Sequence, residues 1–295
     1  MTQPTAYRGR FAPSPTGPLH LGSLIAALAS YLDARANRGE WLVRMEDLDP
    51  PREEAGAADA ILRSLRAHGL HWDGEVMYQA GRDEAYRNAL DDLAAAGHLF
   101  ACDCTRATLG PDGACAGRCR PRQDRIRGAH SLRVAVPPDC VIGFADGLQG
   151  SCGQALGEEL PDFVLVRKDG LTAYQLAVVV DDCAQGVTHV VRGADLLDST
   201  ARQIYLQGLL HCPTPEYLHL PVITGANGRK LSKQTQAPAL DDAAACDNLR
   251  LALRFLGQAL PAAASPPDLV AAAVADWNRA ALPAAATVPA ATLGL

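Results

Sequence analysis

The chain has no hydrophobic stretch of transmembrane length, which excludes a helical membrane span. Its start, Met-Thr-Gln-Pro-Thr, lacks a hydrophobic signal core, so a cytoplasmic protein with no membrane partner is expected. There is no surplus of positive charge either: 27 Lys and Arg against 33 Asp and Glu leave a formal net charge of −6. That balance argues against broad, nonspecific nucleic-acid binding but not against a local basic groove. No internal repeat is visible. His68, His71, His98, His130, His189, His211 and His219 lack metal-binding spacing and read as ordinary surface or core residues. Nothing demands more than a monomer.

What is present suits a globular enzyme. At 295 residues, 48% hydrophobic and 20% charged, the chain can bury one large core or two modest ones. Strand-like and helix-like segments alternate, as an α/β fold requires. Residues 7–12 and 41–45 read as strands around a helix starting near 19, with Leu24, Leu28, Tyr31 and Leu32 on one face. Residues 53–68 and 83–96 read as helices. Residues 98–160 break the rhythm, and it then resumes. A hairpin from 163 turns at Lys168-Asp169-Gly170, and an apolar run covers 176–180. A strand at 188–192 is ended by Gly193, a helix runs to about 210, and a strand covers 218–223. A tight turn at Asn227-Gly228 precedes Lys230-Leu231-Ser232-Lys233. Ala and Pro accumulate from about 261, where 269–282 reads as a helix and the final dozen residues as disordered. The expected organisation is a nucleotide-binding core in two halves (1–97 and 161–240), an insertion (98–160), and a short helical region with a disordered tail (241–295).

The most informative stretch is Gly9-Arg10-Phe11-Ala12-Pro13-Ser14-Pro15-Thr16-Gly17-Pro18-Leu19-His20-Leu21-Gly22. A short strand runs into three prolines and a glycine, and the turn delivers His20, Leu21 and Gly22 to a helix N-terminus. Free N–H groups and the positive dipole end favour a phosphate there. Gly22 allows close approach to the backbone, and His20 adds a side-chain donor. Alone, His-x-Gly reads as a plain helix start, and Lys-x-x-Lys as a plain surface loop.

Cys102, Cys104, Cys115 and Cys119 put four thiols within eighteen residues of a nine-cysteine chain. Four thiolates close a tetrahedral Zn²⁺ site with no open position, which is structural rather than catalytic. The competing reading is a set of free or redox-active thiols. Beside them Arg118, Arg120, Arg122, Arg125 and Arg127 form a dense basic run, either an RNA contact or a solvated loop. Asp181-Asp182 suits either Mg²⁺ or a polar strand end.

Together, His20-Leu21-Gly22 and Lys230-Leu231-Ser232-Lys233 resemble the "HIGH" and "KMSKS" signatures of class I aminoacyl-tRNA synthetases. The wording Arg-Phe-Ala-Pro-Ser-Pro-Thr-Gly resembles the glutamyl branch, from about residue 7 to about 240. Within that branch the short chain is similar to the glutamyl-Q tRNA(Asp) synthetase family, truncated paralogues of glutamyl-tRNA synthetases. The resemblance implies a Rossmann-like parallel sheet with a zinc-containing insertion and a short helical C-terminal extension. It implies an enzyme using ATP, Mg²⁺ and one structural Zn²⁺ to activate L-glutamate. His20 and Gly22 would hold ATP, and Lys230 and above all Lys233 would neutralise the leaving pyrophosphate. Arg10, Ala12, Ser14, Glu46, Tyr174 and Arg192 match the glutamate pocket, with Glu46 on the α-ammonium and the arginines on the carboxylates. The zinc-pinned insertion would hold the RNA end, and the acceptor would be the queuosine base in the anticodon loop of tRNA(Asp).

The signatures depart from the family at Ser23, Leu231 and Gln234. The resemblance implies that a full glutamyl-tRNA synthetase would continue here into an anticodon-binding domain, which is not expected in this chain. Alternatives are 3′-end glutamylation of tRNA(Glu) by a minimal synthetase and a non-catalytic RNA-binding module; a nucleotidylyltransferase is more remote.

Overall fold

The computed structural model describes residues 6–110, 113–225 and 238–293. The expected helix–strand alternation is present. Strand β1 (Arg8–Phe11) leads through the proline-rich turn into helix α1 (Leu21–Ala36), and the chain returns as β2 (Glu40–Met45). Leu24, Leu28 and Leu32 of α1 are fully buried, and Tyr31 packs edge-on against Trp41. The return to β2 demands glycine at 39: a Cβ there would lie 2.4 Å from the Tyr7 carbonyl oxygen. Helix α2 (Ala57–Ala67) starts four residues later than the periodicity suggests, because a left-handed Gly56 precedes it. Short β3 (Met77–Tyr78) and α3 (Asp83–Ala95) complete this half.

The next stretch departs from the expected boundaries. β4 (Leu99–Cys102), β5 (Ser131–Ala135) and β8 (Asp162–Val166) form one antiparallel sheet. β6 (Ile142–Asp146) and β7 (Gly150–Gln154), inside the expected insertion, join the central sheet instead. The short α4 (Leu156–Glu159) lies between β7 and β8. The insertion therefore borrows β8 from the expected second half and gives up the β6–β7 hairpin. Side-chain patterning does not reveal the swap, because both strands alternate in burial whichever sheet they join.

After β8 a tight turn carries a single bridge, Val166 to Thr172, before helix α5 (Tyr174–Ala184). Then come β9 (His189–Gly193), α6 (Leu197–Leu209), β10 (Glu216–Leu220) and β11 (Val222–Thr224). Pro221 divides the expected single strand at 218–223 in two. Helices α7 (Ala245–Phe255) and α8 (Pro266–Ala275) press fully buried Leu249, Leu253 and Leu269 into the core that also holds Leu24 and Leu28. α8 ends seven residues short of the expected 282. The tail is not wholly disordered: β12 (Thr287–Pro289) pairs in parallel with β11.

The strands β3-β2-β1 and β9-β10-β6 are parallel, with β7 antiparallel at the edge. β1 and β9 lie side by side, linked where the Thr188 N–H donates to the Arg8 carbonyl at 2.9 Å. From β1 the chain works outward through β2 and β3, and from β9 it works the other way. That reversal opens a crevice at the carboxyl ends of β1 and β9, where doubly wound folds bind ligands. Among the described residues no helix is long and apolar enough to cross a membrane.

Candidate active site

The crevice is a cleft of about 650 Å³. It brings together eight residues singled out from the sequence: Arg10, Ala12, Ser14 and His20 from β1 and its exit turn, Gly22 from α1, and Glu46, Tyr174 and Arg192. Lys230 and Lys233 lie outside the described residues. The chain nonetheless leaves and re-enters at the cleft: Ile223 lines it, and Ala239 forms a β-bridge with His20.

His20 is the N-cap of α1. Its Nδ1 accepts the Ser23 N–H at 3.2 Å, which places the proton of a neutral ring on Nε2. The Ser23 hydroxyl lies 3.1 Å from that Nε2. The departure at Ser23 thus supplies a partner for His20 rather than a second imidazole.

Arg10 and Glu46, which line the cleft, belong to a compact charge set drawn from β1, the end of β2 and α5. Asp182 accepts from Arg10 Nε at 3.2 Å and lies 2.8 Å from Arg44 Nη2. Arg44 also approaches Glu46 at 3.6 Å. Burial alone would raise the Asp182 carboxyl, but Arg10 and Arg44 outweigh it and hold it below the usual range. Burial raises Glu46 instead, opposed by Arg44 and Arg10. An ammonium entering the cleft would favour the ionised form of Glu46 that burial disfavours. Asp181 and Asp182 are therefore neither a strand end nor a free Mg²⁺ pair: both lie within α5, and Asp181 accepts from Gln79, Arg82 and Tyr86.

Arg192 is held differently. Its hydrogen bonds run to neutral groups: His219 Nε2 at 3.0 Å, Gln203 at 2.8 Å and Thr200 at 2.9 Å, with Tyr174 Oη and the Leu196 carbonyl at 3.5 and 3.4 Å. Burial keeps the Tyr174 hydroxyl protonated and so able to donate. Beyond this polar end, Leu220, Pro221, Val222, Ile223 and Phe255 give the cleft an apolar wall suited to a base ring.

The four cysteines converge in the insertion. Their Sγ atoms all lie within 4.8 Å of one another, with close approaches of 3.5, 3.7 and 3.8 Å. Tetrahedral Zn–S bonds of about 2.3 Å require S···S separations of about 3.8 Å, so the donor set fits a closed Zn²⁺ site. Burial pushes the Cys115 and Cys119 thiols up, so a cation is what would make them thiolates. The Arg122 guanidinium reaches Cys119 Sγ at 3.2 Å, an N–H donor suited to a thiolate.

The family description "tRNA synthetases class I (E and Q), catalytic domain" matches residues 6–114 and 115–258. A protein of Thiobacillus denitrificans described as "Glutamyl-Q tRNA(Asp) synthetase" is 54% identical over 285 residues, covering 93% of this chain and 94% of the relative. One of the same description from Pseudomonas entomophila is 51% identical over 291 residues, covering 97% and 98%. The chain belongs to the glutamyl-Q tRNA(Asp) synthetase family of class I tRNA synthetases. A glutamate tRNA ligase from Elizabethkingia meningosepticum, solved in complex with its amino acid, shares the fold at a TM-score of 0.80 and 24% identity, over 97% of this chain and 67% of that one. This synthetase is accordingly an ATP-dependent ligase of the aminoacyl-tRNA synthetase type.

Sequence reasoning missed Arg44, the role of Asp182, and the pair Asp146 and His219 under Arg192. The available signal was an ionisable residue inside an apolar strand, as in Leu42-Val43-Arg44-Met45 and Leu218-His219-Leu220. Part of the synthetase's basic run is already engaged: Arg122 pairs with Asp103, and Arg120 lies over Phe100 at 5.1 Å. Arg125 is exposed.

Proposed function

We propose that the protein activates L-glutamate with ATP and transfers it to the queuosine base in the anticodon loop of tRNA(Asp). Arg192 and Arg10 receive the two glutamate carboxylates, Glu46 takes the α-ammonium, and Ser14 and Tyr174 add hydroxyl donors. The N-terminus of α1, with His20 and Gly22, holds the ATP phosphates. An oxygen of the glutamate α-carboxylate attacks the α-phosphorus, and the bond to the β-phosphate oxygen breaks. The products are glutamyl-adenylate and pyrophosphate, and Lys233, seconded by Lys230, neutralises charge on the leaving group. A hydroxyl of the modified base then attacks the activated carbonyl, giving an ester and AMP.

Mg²⁺ would arrive with the phosphates, since Asp181 and Asp182 are committed to hydrogen-bond and arginine partners. Zn²⁺ on Cys102, Cys104, Cys115 and Cys119 would pin the insertion rather than take part in chemistry. The carrying observation is the convergence on one crevice of two buried arginines, a half-buried glutamate and a helix N-terminus. The RNA target rests on the family. A single-stranded loop presents an unstacked base that suits such a site.

The test is glutamylation of queuosine-containing tRNA(Asp) trimmed of its 3′-terminal adenosine. Transfer to the base persists on the trimmed RNA, whereas 3′-end chemistry stops.

A further inference from the structure

We propose that His219, held by Asp146, is a positioning residue that aims Arg192 at a glutamate carboxylate while leaving the guanidinium charge unspent. This deepens the reading of the cleft as a glutamate pocket and rests on it.

Three neighbouring parallel strands each supply one member: Asp146 from β6, His219 from β10 and Arg192 from β9, exposed by 5%, 0% and 5%. Asp146 is fixed first. Its Oδ1 accepts the Leu148 and Gln149 N–H groups at 3.0 and 2.8 Å, and both its oxygens take the His219 N–H. Its Oδ2 lies 2.6 Å from His219 Nδ1. A carboxylate there draws the ring proton to Nδ1 and leaves a lone pair on Nε2, which accepts the Arg192 Nε–H at 3.0 Å. The ring stacks on Tyr217, with centroids 5.9 Å apart and planes within 13°.

Short bonds to His219, Gln203 and Thr200 therefore fix the plane of the guanidinium through all three of its nitrogens. The two long contacts, to Tyr174 Oη and Leu196 O, engage the outer N–H groups. Those are the parallel pair that a carboxylate takes in bidentate fashion. The interposed imidazole matters electrostatically. Arg10 touches its carboxylate directly and shares its charge with it. Arg192 is separated from Asp146 by a whole ring, so it is held rigidly without being neutralised.

The groups that face His219 are Asp146 from β6, Arg192 from β9, Arg10 from β1, the Thr200 hydroxyl from α6 and Tyr217 on its own strand. Burial lowers the imidazole pKa, Asp146 opposes that, and Arg192 and Arg10 lower it further. Protonation would turn the Nε2 acceptor into a donor pointed at Arg192. Glutamate binding should therefore weaken as the pH falls.

The test compares His219→Gln and His219→Asn in glutamate-dependent ATP–pyrophosphate exchange with tRNA(Asp) present, alongside Arg192→Gln. Glutamine can restore an acceptor where Nε2 lies; asparagine reaches only the Nδ1 position. Asparagine should raise the glutamate KM roughly tenfold, with kcat and the ATP KM nearly unchanged. Glutamine should keep the KM close to wild type and shrink its rise at acid pH to the part that protonation of Glu46 contributes. Equal effects of the two variants, or parallel changes in the ATP KM, overturn the proposal. If asparagine does not fold, an acid limb in the glutamine variant identical to that of the wild type overturns it. If Arg192→Gln leaves the glutamate KM unchanged, the pocket reading itself falls. If Arg192→Gln raises it and neither His219 variant does, the positioning role alone falls.

Discussion

Arg10 donates to both oxygens of Asp182, at 3.2 and 3.4 Å. Its charge is thus shared with a carboxylate before any substrate arrives, whereas Arg192 is bonded to neutral groups. The incoming carboxylate gains more from Arg192. Arg192→Gln should raise the glutamate KM about tenfold to a hundredfold, the loss of a charged hydrogen-bond donor, and Arg10→Gln should raise it less. Exchange kinetics at varied glutamate decide the order, and a larger effect at Arg10 would place the dominant contact on β1.

Lys233→Ala should lower pyrophosphate exchange on the order of a hundredfold or more while leaving the melting temperature unchanged, since removing one transition-state donor costs about that much. Unchanged exchange would remove Lys233 from the chemistry. The described residues on either side, Ile223 in the cleft wall and Ala239 bridged to His20, motivate the assignment.

Much of the site was legible because it rests on local rules. A proline-rich turn before a helix start placed His20 and thiol density placed the cysteine cluster, while the family resemblance supplied Arg10 and Arg192. Long-range partners were not legible. Asp182 on α5 neutralises arginines of β1 and β2, and Asp146 reaches Arg192 through His219 across three strands. No spacing within one element encodes such pairs. The exchange of β8 for the β6–β7 hairpin was hidden for the same reason: alternating burial fixes a strand's faces but not its neighbour.

The cysteine cluster should hold one zinc per chain, measured by elemental analysis of the purified, untagged protein. Replacing Cys115 by Ser should release it and lower the melting temperature, because buried thiols lose the cation that joins them. Full metal content and unchanged melting after that substitution would contradict a four-thiolate site.

Asp33 is buried at 0% exposure in α1 and accepts from Tyr7, Arg279 and Trp277, which ties the C-terminal segment to the core. Burial would raise its pKa, but the hydrogen bonds from Arg279, Tyr7 and Trp277 outweigh it and hold it below the usual carboxylate range. Asp146 and Asp182 are depressed likewise, by their own partners. In acid the unfolded chain binds protons that the folded chain refuses. The stability from these carboxylates is therefore complete above the ordinary carboxylate pKa and lost as the pH falls below it. Arg279→Ala should cost about 1–3 kcal/mol at neutral pH, read by denaturant unfolding, and much less in acid strong enough to protonate Asp33, which lies below the usual carboxylate range. An equal cost at both pH values would contradict the ion-pair account.

The most direct measurement of the central claim is transfer of labelled L-glutamate, with ATP and Mg²⁺, to tRNA(Asp) with and without queuosine and to tRNA(Glu). The account predicts label on the queuosine-containing tRNA(Asp) alone. Label on tRNA(Glu), or on tRNA(Asp) regardless of queuosine, would contradict it.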